Sequence, residues 1–233
     1  MGTKYNPRVI TNGLQVYLDA GNSRSYPGSG SIWYDLKGNR NFTLNNSPVY
    51  ISTSAGGSIG FTAASSHYAN ATSLQTLSNW TVEVWHYYTA APVGTYPVIV
   101  GQVYPGINNS INFSLGTTTT SSFGTTDMRI GYFTSGAWQQ TSSGYAMTPN
   151  RWHHVIGTCD SSNLKIYING SLQITTAHNN TAVSSTGDIL LMKRWDASDF
   201  WGGHLSTVKI YDRALSAQEV LQNYNATKKR YGL

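Results

Sequence analysis

A single cysteine, Cys159, excludes any internal disulfide, so the fold must be held by its core rather than by cross-links. Charge is also scarce. Asp, Glu, Lys and Arg make up 11% of the chain, against roughly a quarter in an average soluble domain. The acidic side is thin in Glu above all: Glu83 and Glu219 are the only two. No eighteen apolar residues run together, and MGTKYNPRVITNGL at the start lacks the apolar segment of a signal peptide. Cytosolic synthesis without membrane insertion is therefore expected. Asn6 stands where a myristoylation signal needs Ser or Thr. Neither a P-loop nor a GxGxxG or CxxC motif occurs, which removes the nucleotide and dithiol readings that such motifs carry.

What remains is apolar, aromatic and turn-rich. Hydrophobic residues are 39% of 233, with 16 Tyr and 7 Trp, enough to bury a sizeable core. LQVYLDA (14 to 20) alternates with the period of two of a half-buried strand. Similar signals recur at 32–36, 58–61, 80–88, 98–103, 111–115, 128–133, 152–159, 164–168, 172–176, 189–192 and 205–211. Asn169-Gly170, between KIYI and SLQI, predicts a type I′ hairpin. More than ten short strands without alternating helices predict an all-β, antiparallel, two-sheet sandwich forming one domain over 1–233. An N-terminal arm covers residues 1–12.

The chain's end reads differently. Ser216-Ala217-Gln218-Glu219 is a capping box, predicting one short helix over about 216–230 that packs Val220, Leu221 and Tyr224 onto the sandwich. Lys228, Lys229 and Arg230 read as its solvated basic end, so the net charge of +5 does not argue for nucleic acid.

Hydrolytic chemistry has little to draw on. A retaining glycosidase needs two carboxyls about 5 Å apart, yet the places two residues either side of Glu83 hold Thr81 and Trp85. A Cys159 dyad within its own strand fails as well. His154, five residues away, points to the other face, and His153, six away, lies about 20 Å along an extended chain.

LQVYLDAGNSRSYPGSGSIWYDLKGNRN, NWTVEVWHYY, RWHHVIGTCDSSNLKIYINGSLQ and GGHLSTVKIYDRALSAQEVLQNYNATKKRYGL, in that order, resemble the laminin-G-like modules of the concanavalin A-like lectin/glucanase superfamily. The resemblance implies a jelly roll. The wording MGTKYNP, LDAGNSRSYPGSG and EVLQNYNATKKRYGL is similar to virion proteins of tailed bacteriophages, particularly those of marine and cyanobacterial hosts. This implies a virion location on a capsid, tail fibre or baseplate. Its partners would be other virion proteins and host-surface glycans, with self-association within the particle. Some members of the superfamily hold structural Ca²⁺; similar residues here are Asp19, Asp35, Asn39 and Asn41. Ser206-Thr207 stands where relatives often carry an acidic ligand, and carboxylates capping turns are the alternative.

Sugar recognition pairs flat aromatic faces with planar polar groups. Two segments offer that mixture: Arg194, Trp195, Asp196, Asp199, Phe200 and Trp201 in RWDASDFWGG, and Tyr132 and Trp138 with Gln139 and Gln140. The expected function is a non-enzymatic virion adhesion protein that binds glycans. The alternatives are a capsid decoration or tail component that makes only protein contacts, and a polysaccharide hydrolase.

Overall fold

The computed structural model describes residues 7–89, 96–103, 111–117, 127–134, 137–178, 187–194 and 199–233. Within them the strands are β1 (Leu14–Asp19), β2 (Ile32–Trp33), β3 (Phe42–Asn45), β4 (Val49–Ile51), β5 (Ser58–Phe61), β6 (Tyr68–Ala71), β7 (Trp80–Tyr88) and β8 (Val98–Val103). They continue as β9 (Ile111–Thr117), β10 (Asp127–Thr134), β11 (Ala137–Ala146), β12 (Arg151–Cys159), β13 (Asn163–Ile168), β14 (Ser171–Ala177), β15 (Ile189–Leu191) and β16 (Gly203–Tyr211). Helix α1 (Ala217–Thr227) and a 3-10 turn (Lys228–Tyr231) follow.

All pairings are antiparallel, in two sheets. The first is ordered β14-β13-β12-β7-β16-β5-β4, with β1 also on β16; the second is β11-β10-β9-β8-β15-β6-β3-β2. Alternation then builds the core. Val82, Val84, Val155, Leu164, Ile166, Val208 and Ile210 of the first sheet meet Phe113, Leu115, Met128, Ile130, Ile189 and Leu191 of the second in one buried cluster. At Asn169 and Gly170, φ is 51° and 80°, both positive as the hairpin requires.

The first sheet has a second buried layer outside it. Leu14, Ile156, Tyr167, Tyr211, Leu215 and Val220 cluster between that sheet's outer face and α1. At its centre, cross-strand neighbours Glu83 and Lys209 form an ion pair of 2.5 Å, both fully buried. The same Glu83 Oε1 accepts from His154 Nε2 at 3.0 Å, and Oε2 accepts from Asn223 Nδ2 of α1 at 2.7 Å. Asn223 Oδ1 in turn accepts from the Ile10 amide at 2.7 Å. Burial alone would raise the Glu83 carboxyl, but Lys209 and His154 outweigh it and hold the group at about 2.

Several expectations need correction here. Leu221 does not pack on the sandwich; it is 47% exposed, and the buried face of α1 is Val220 and Asn223, three residues apart. Tyr224, half-buried, does reach it, with its ring 6.0 Å from that of Trp85. The α-helix ends at Thr227 and carries no basic residue in its last turn. Arg230 is no solvated tail either, since its guanidinium bonds to Asp19 Oδ1, Gly57 O, Ser206 Oγ and Ala55 O. Strands β3, β4, β6 and β11 were not anticipated; AWQQTSSGYA of β11 is polar because it is an edge strand with alternate residues in solvent.

Candidate functional site

Among the described residues, no helix packs on the outer face of the second sheet as α1 does on the first. Inward residues on β10 are Met128, Ile130 and Tyr132, so Arg129, Gly131 and Phe133 face out. One register row crosses the sheet through Gln140, Gly131, Ser114, Gly101, Leu190 and Asn70. In that row Gly131 and Gly101 are buried and Ser114 is half-buried, and a Cβ on Gly131 would meet the Gln139 carbonyl at 2.7 Å, so the glycine there serves close strand packing.

Beside this row stands a cluster of arginines and aromatics. The Tyr96 ring has the Arg129 guanidinium 4.9 Å from its centroid and that of Arg194 at 5.1 Å. From its place next to Gly131, Arg129 reaches Gln140 Oε1 at 2.9 Å and lies 5.9 Å from the Trp138 ring. Trp138, 37% exposed, is held edge-on by Phe133 at 5.6 Å. Arg194 Nη1 is 3.4 Å from Asp199 Oδ2, which accepts the Tyr96 amide at 2.9 Å. Further along, Lys193 sits 4.0 Å over Tyr68, whose ring tilts against Phe200 at 6.3 Å.

The two sequence segments proposed for sugar binding thus meet in part: Arg194 and Asp199 join Trp138 through Tyr96 and Arg129, which had not been singled out. Outward alternation on β10 was the signal available for Arg129. Tyr132 does not contribute a binding face. It is inward and 2% exposed, and its hydroxyl is 2.5 Å from His178 Nδ1. Trp201 is fully buried in the core, so it is a packing residue too. Trp195 and Asp196 lie outside the described residues. Gln139, opposite Tyr132 in register, shares its inward side of the strand.

Calcium does not fit the residues as they stand. Asp35 accepts four backbone amides, from Tyr17, Lys37, Asn39 and Arg40, so it organises its own turn. Asn39 contributes that amide, and Asn41 Oδ1 accepts from the Asp35 amide. The oxygens around Asp19 are already served by a cation of the chain itself, the Arg230 guanidinium described above. Among the described residues no three of His, Cys, Asp and Glu converge on a metal-sized space. The melting temperature is accordingly expected to be the same in millimolar calcium and in chelator; an upward shift of several degrees with calcium would refute this assignment.

Nucleophilic chemistry has one candidate that the sequence did not suggest. Cys159 Sγ lies 3.7 Å from His178 Nε2. Burial, followed by the Asp160 charge, pushes the thiol up to about 12, so it stays protonated and unreactive.

Two packed antiparallel sheets with one closing helix define a concanavalin A-like sandwich. The chain belongs to the laminin-G-type (Laminin_G_3) family of the concanavalin A-like lectin/glucanases superfamily, whose profile matches residues 60–221. No curated protein sequence matches it. Among solved structures, it is similar to domain 4 of AbnA, a GH43 extracellular arabinanase from Geobacillus stearothermophilus, in complex with arabinotriose. That match has a TM-score of 0.67 and 15% identity over 91% of this chain and 98% of that one. It is also similar to the binding domain of Paraclostridial Mosquitocidal Protein 1, with TM-score 0.70 and 14% identity over 92% of this chain and 52% of that one. A third is botulinum neurotoxin type C, whose cell entry depends upon interaction with two ganglioside molecules. Here the TM-score is 0.67 and identity 13%, over 92% of this chain and 51% of that one. The chain therefore spans about half the length of both toxin structures, and at these identities the likeness is one of fold.

Proposed function

We propose that this chain is a non-enzymatic adhesion domain that binds cell-surface glycans through the outer face of the second sheet, and that it is carried on the virion of a tailed phage. The observation that carries the glycan reading is the Tyr96, Arg129, Trp138 and Arg194 cluster, in which Trp138 is exposed. It combines aromatic faces for sugar C-H groups with planar donors for hydroxyls. An arabinotriose complex and a ganglioside-dependent toxin among the similar folds support the same class of ligand. The virion setting rests on the wording of the two chain ends, MGTKYNP and EVLQNYNATKKRYGL. The non-enzymatic reading is supported by Glu83, whose two oxygens are taken by Lys209, His154 and Asn223.

A glycan array with the full chain tests the binding. At least one class of saccharide is expected to bind, and Trp138→Ala is expected to weaken it about tenfold, the equivalent of one lost stacking contact. A blank array for a folded protein would refute the reading and leave a virion component that makes only protein contacts.

A further inference from the structure

We infer that the side chains of Lys209 and Asn223 react with each other to form an amide bond, releasing ammonia, with Glu83 as the proton carrier. The bond fastens β16 to α1 and is independent of the glycan face on the second sheet.

The arrangement is that of the reactants. Lys209 Nζ is 2.5 Å from Glu83 Oε1, and Asn223 Nδ2 donates to Glu83 Oε2 at 2.7 Å. An amine from β16 and a carboxamide from α1 are thus held against the two oxygens of one carboxylate. None of the three residues has any exposure to solvent. Around them lie the apolar and aromatic side chains of Leu14, Ile156, Tyr167, Tyr211, Leu215 and Val220, and the Tyr17 ring is 5.4 Å from the amine. Such placement makes the encounter unimolecular and keeps out the water that would compete for the carboxamide.

The carboxamide is also oriented. Its Oδ1 accepts the Ile10 amide at 2.7 Å, so a donor already sits where negative charge develops when a nucleophile adds to Cγ. Because a backbone N–H can only donate, that bond also fixes which end of the amide is oxygen. Nδ2, the leaving nitrogen, is held by Glu83 and, at 3.0 Å, by the Tyr211 hydroxyl.

The step balances without a co-reactant. The Lys209 ammonium first gives a proton to Glu83 Oε1, leaving a neutral amine. The amine adds to Asn223 Cγ; the Nζ–Cγ bond forms and the Cγ–Nδ2 bond breaks. Of the two protons that Nζ gives up, one leaves with Nδ2 as ammonia and one stays on Glu83. Nothing is oxidised or reduced. The product replaces a buried ion pair by an amide and a neutral carboxyl group, which removes the desolvation that two charges in this layer cost. The ion pair is the resting state, so the neutral amine is a minor form and the bond closes slowly, once in each molecule.

Mass spectrometry of the full chain tests this, on protein kept folded for days and then denatured. The expected mass falls below that of the sequence by one ammonia, about 17 Da. Trypsin is expected no longer to cleave after Lys209, whose peptide appears joined to the one that carries Asn223. Asn223→Ala, Lys209→Met and Glu83→Gln are each expected to show the full mass of their own sequence. In Glu83→Gln both joining groups remain, so the missing bond reports the proton carrier. Ser216→Ala weakens the cap of α1 without touching the three residues and is expected to keep the deficit, which separates proton transfer from a general loosening of the helix. The unsubstituted chain decides the matter whether or not a variant folds: a full mass there would overturn the inference. A deficit that persists in Asn223→Ala, or a cross-link of Lys209 to Glu83 with loss of water, would overturn it too.

Discussion

Replacing Glu83 by Gln is expected to destabilise the chain by about 3–5 kcal/mol, measured as the fall in unfolding free energy in urea, because Lys209 is then left buried without its counter-charge. Gln preserves the shape and can still accept a hydrogen bond, so the effect isolates charge. Two further partners suffer: His154 loses an anionic acceptor, and Asn223 must share a neutral one, which loosens α1 from the sheet. A loss under about 1 kcal/mol would show that Lys209 is not held as a buried cation. A second variant sharpens this. Glu83→Leu with Lys209→Met removes both charges and should recover much of the loss, since apolar replacements of whole buried pairs are often neutral. Glycan binding should be unaffected in either case, because Glu83 lies under α1 on the first sheet and the candidate face belongs to the second.

Acid should destabilise the fold earlier than carboxylate protonation alone would. His86 is fully buried on the inward side of β7, near Trp201 at 5.2 Å, and among the described residues neither ring nitrogen has a hydrogen-bond partner. Burial, then the neighbouring His153 and His204, push its pKa down to about 3. The unfolded chain binds that proton near pH 6.5, so between these values the unfolded state holds more protons. Stability is full above about pH 6.5 and falls as pH drops, approaching about 1.4 kcal/mol per pH unit for this one group. His153, His154 and His204 are also shifted down, with burial as the leading cause, and act in the same direction. Glu83 adds its own loss only below its ordinary carboxyl range, as pH falls toward about 2. Urea unfolding between pH 6.5 and 5 therefore reads the histidines. His86→Leu should flatten that slope by up to about 1.4 kcal/mol per unit, and an unchanged slope would mean that His86 is protonated in the folded state.

Much of the architecture was legible because period-two alternation survives wherever one strand face meets the core. Trp80–Tyr88, Met128–Phe133 and Leu205–Tyr211 lie within or coincide closely with strands the structure shows. The capping box was equally readable, since Ser216 and Glu219 satisfy each other locally, at 3.3 and 2.9 Å. What stayed hidden depends on register. Glu83 looked like a lone carboxylate because its partner Lys209 is 126 residues away, and only the pairing of β7 with β16 puts them side by side. The same holds for Arg129 and Trp138, joined across a hairpin by the bare backbone of Gly131. Tyr132 and Trp201 were assigned to sugar by residue type, yet Tyr132 shares parity with the inward Ile130, a signal already present in the strand. The apolar face of α1 was misplaced by one position because its buried centre is polar: Asn223 faces inward to serve Glu83, and Leu221 consequently looks outward.

The segment around Ile10 and the closing helix hold each other in place. The Gln222 side chain donates to Arg8 O, Asn223 meets Ile10, and Arg213 reaches Asn12 O, so the incoming and outgoing chain run together over the back of the first sheet. Residues 8–12 and α1 are thereby tied to each other as well as to the sheet, so pulling one away loosens the other, on the side of the molecule opposite Tyr96 and Trp138.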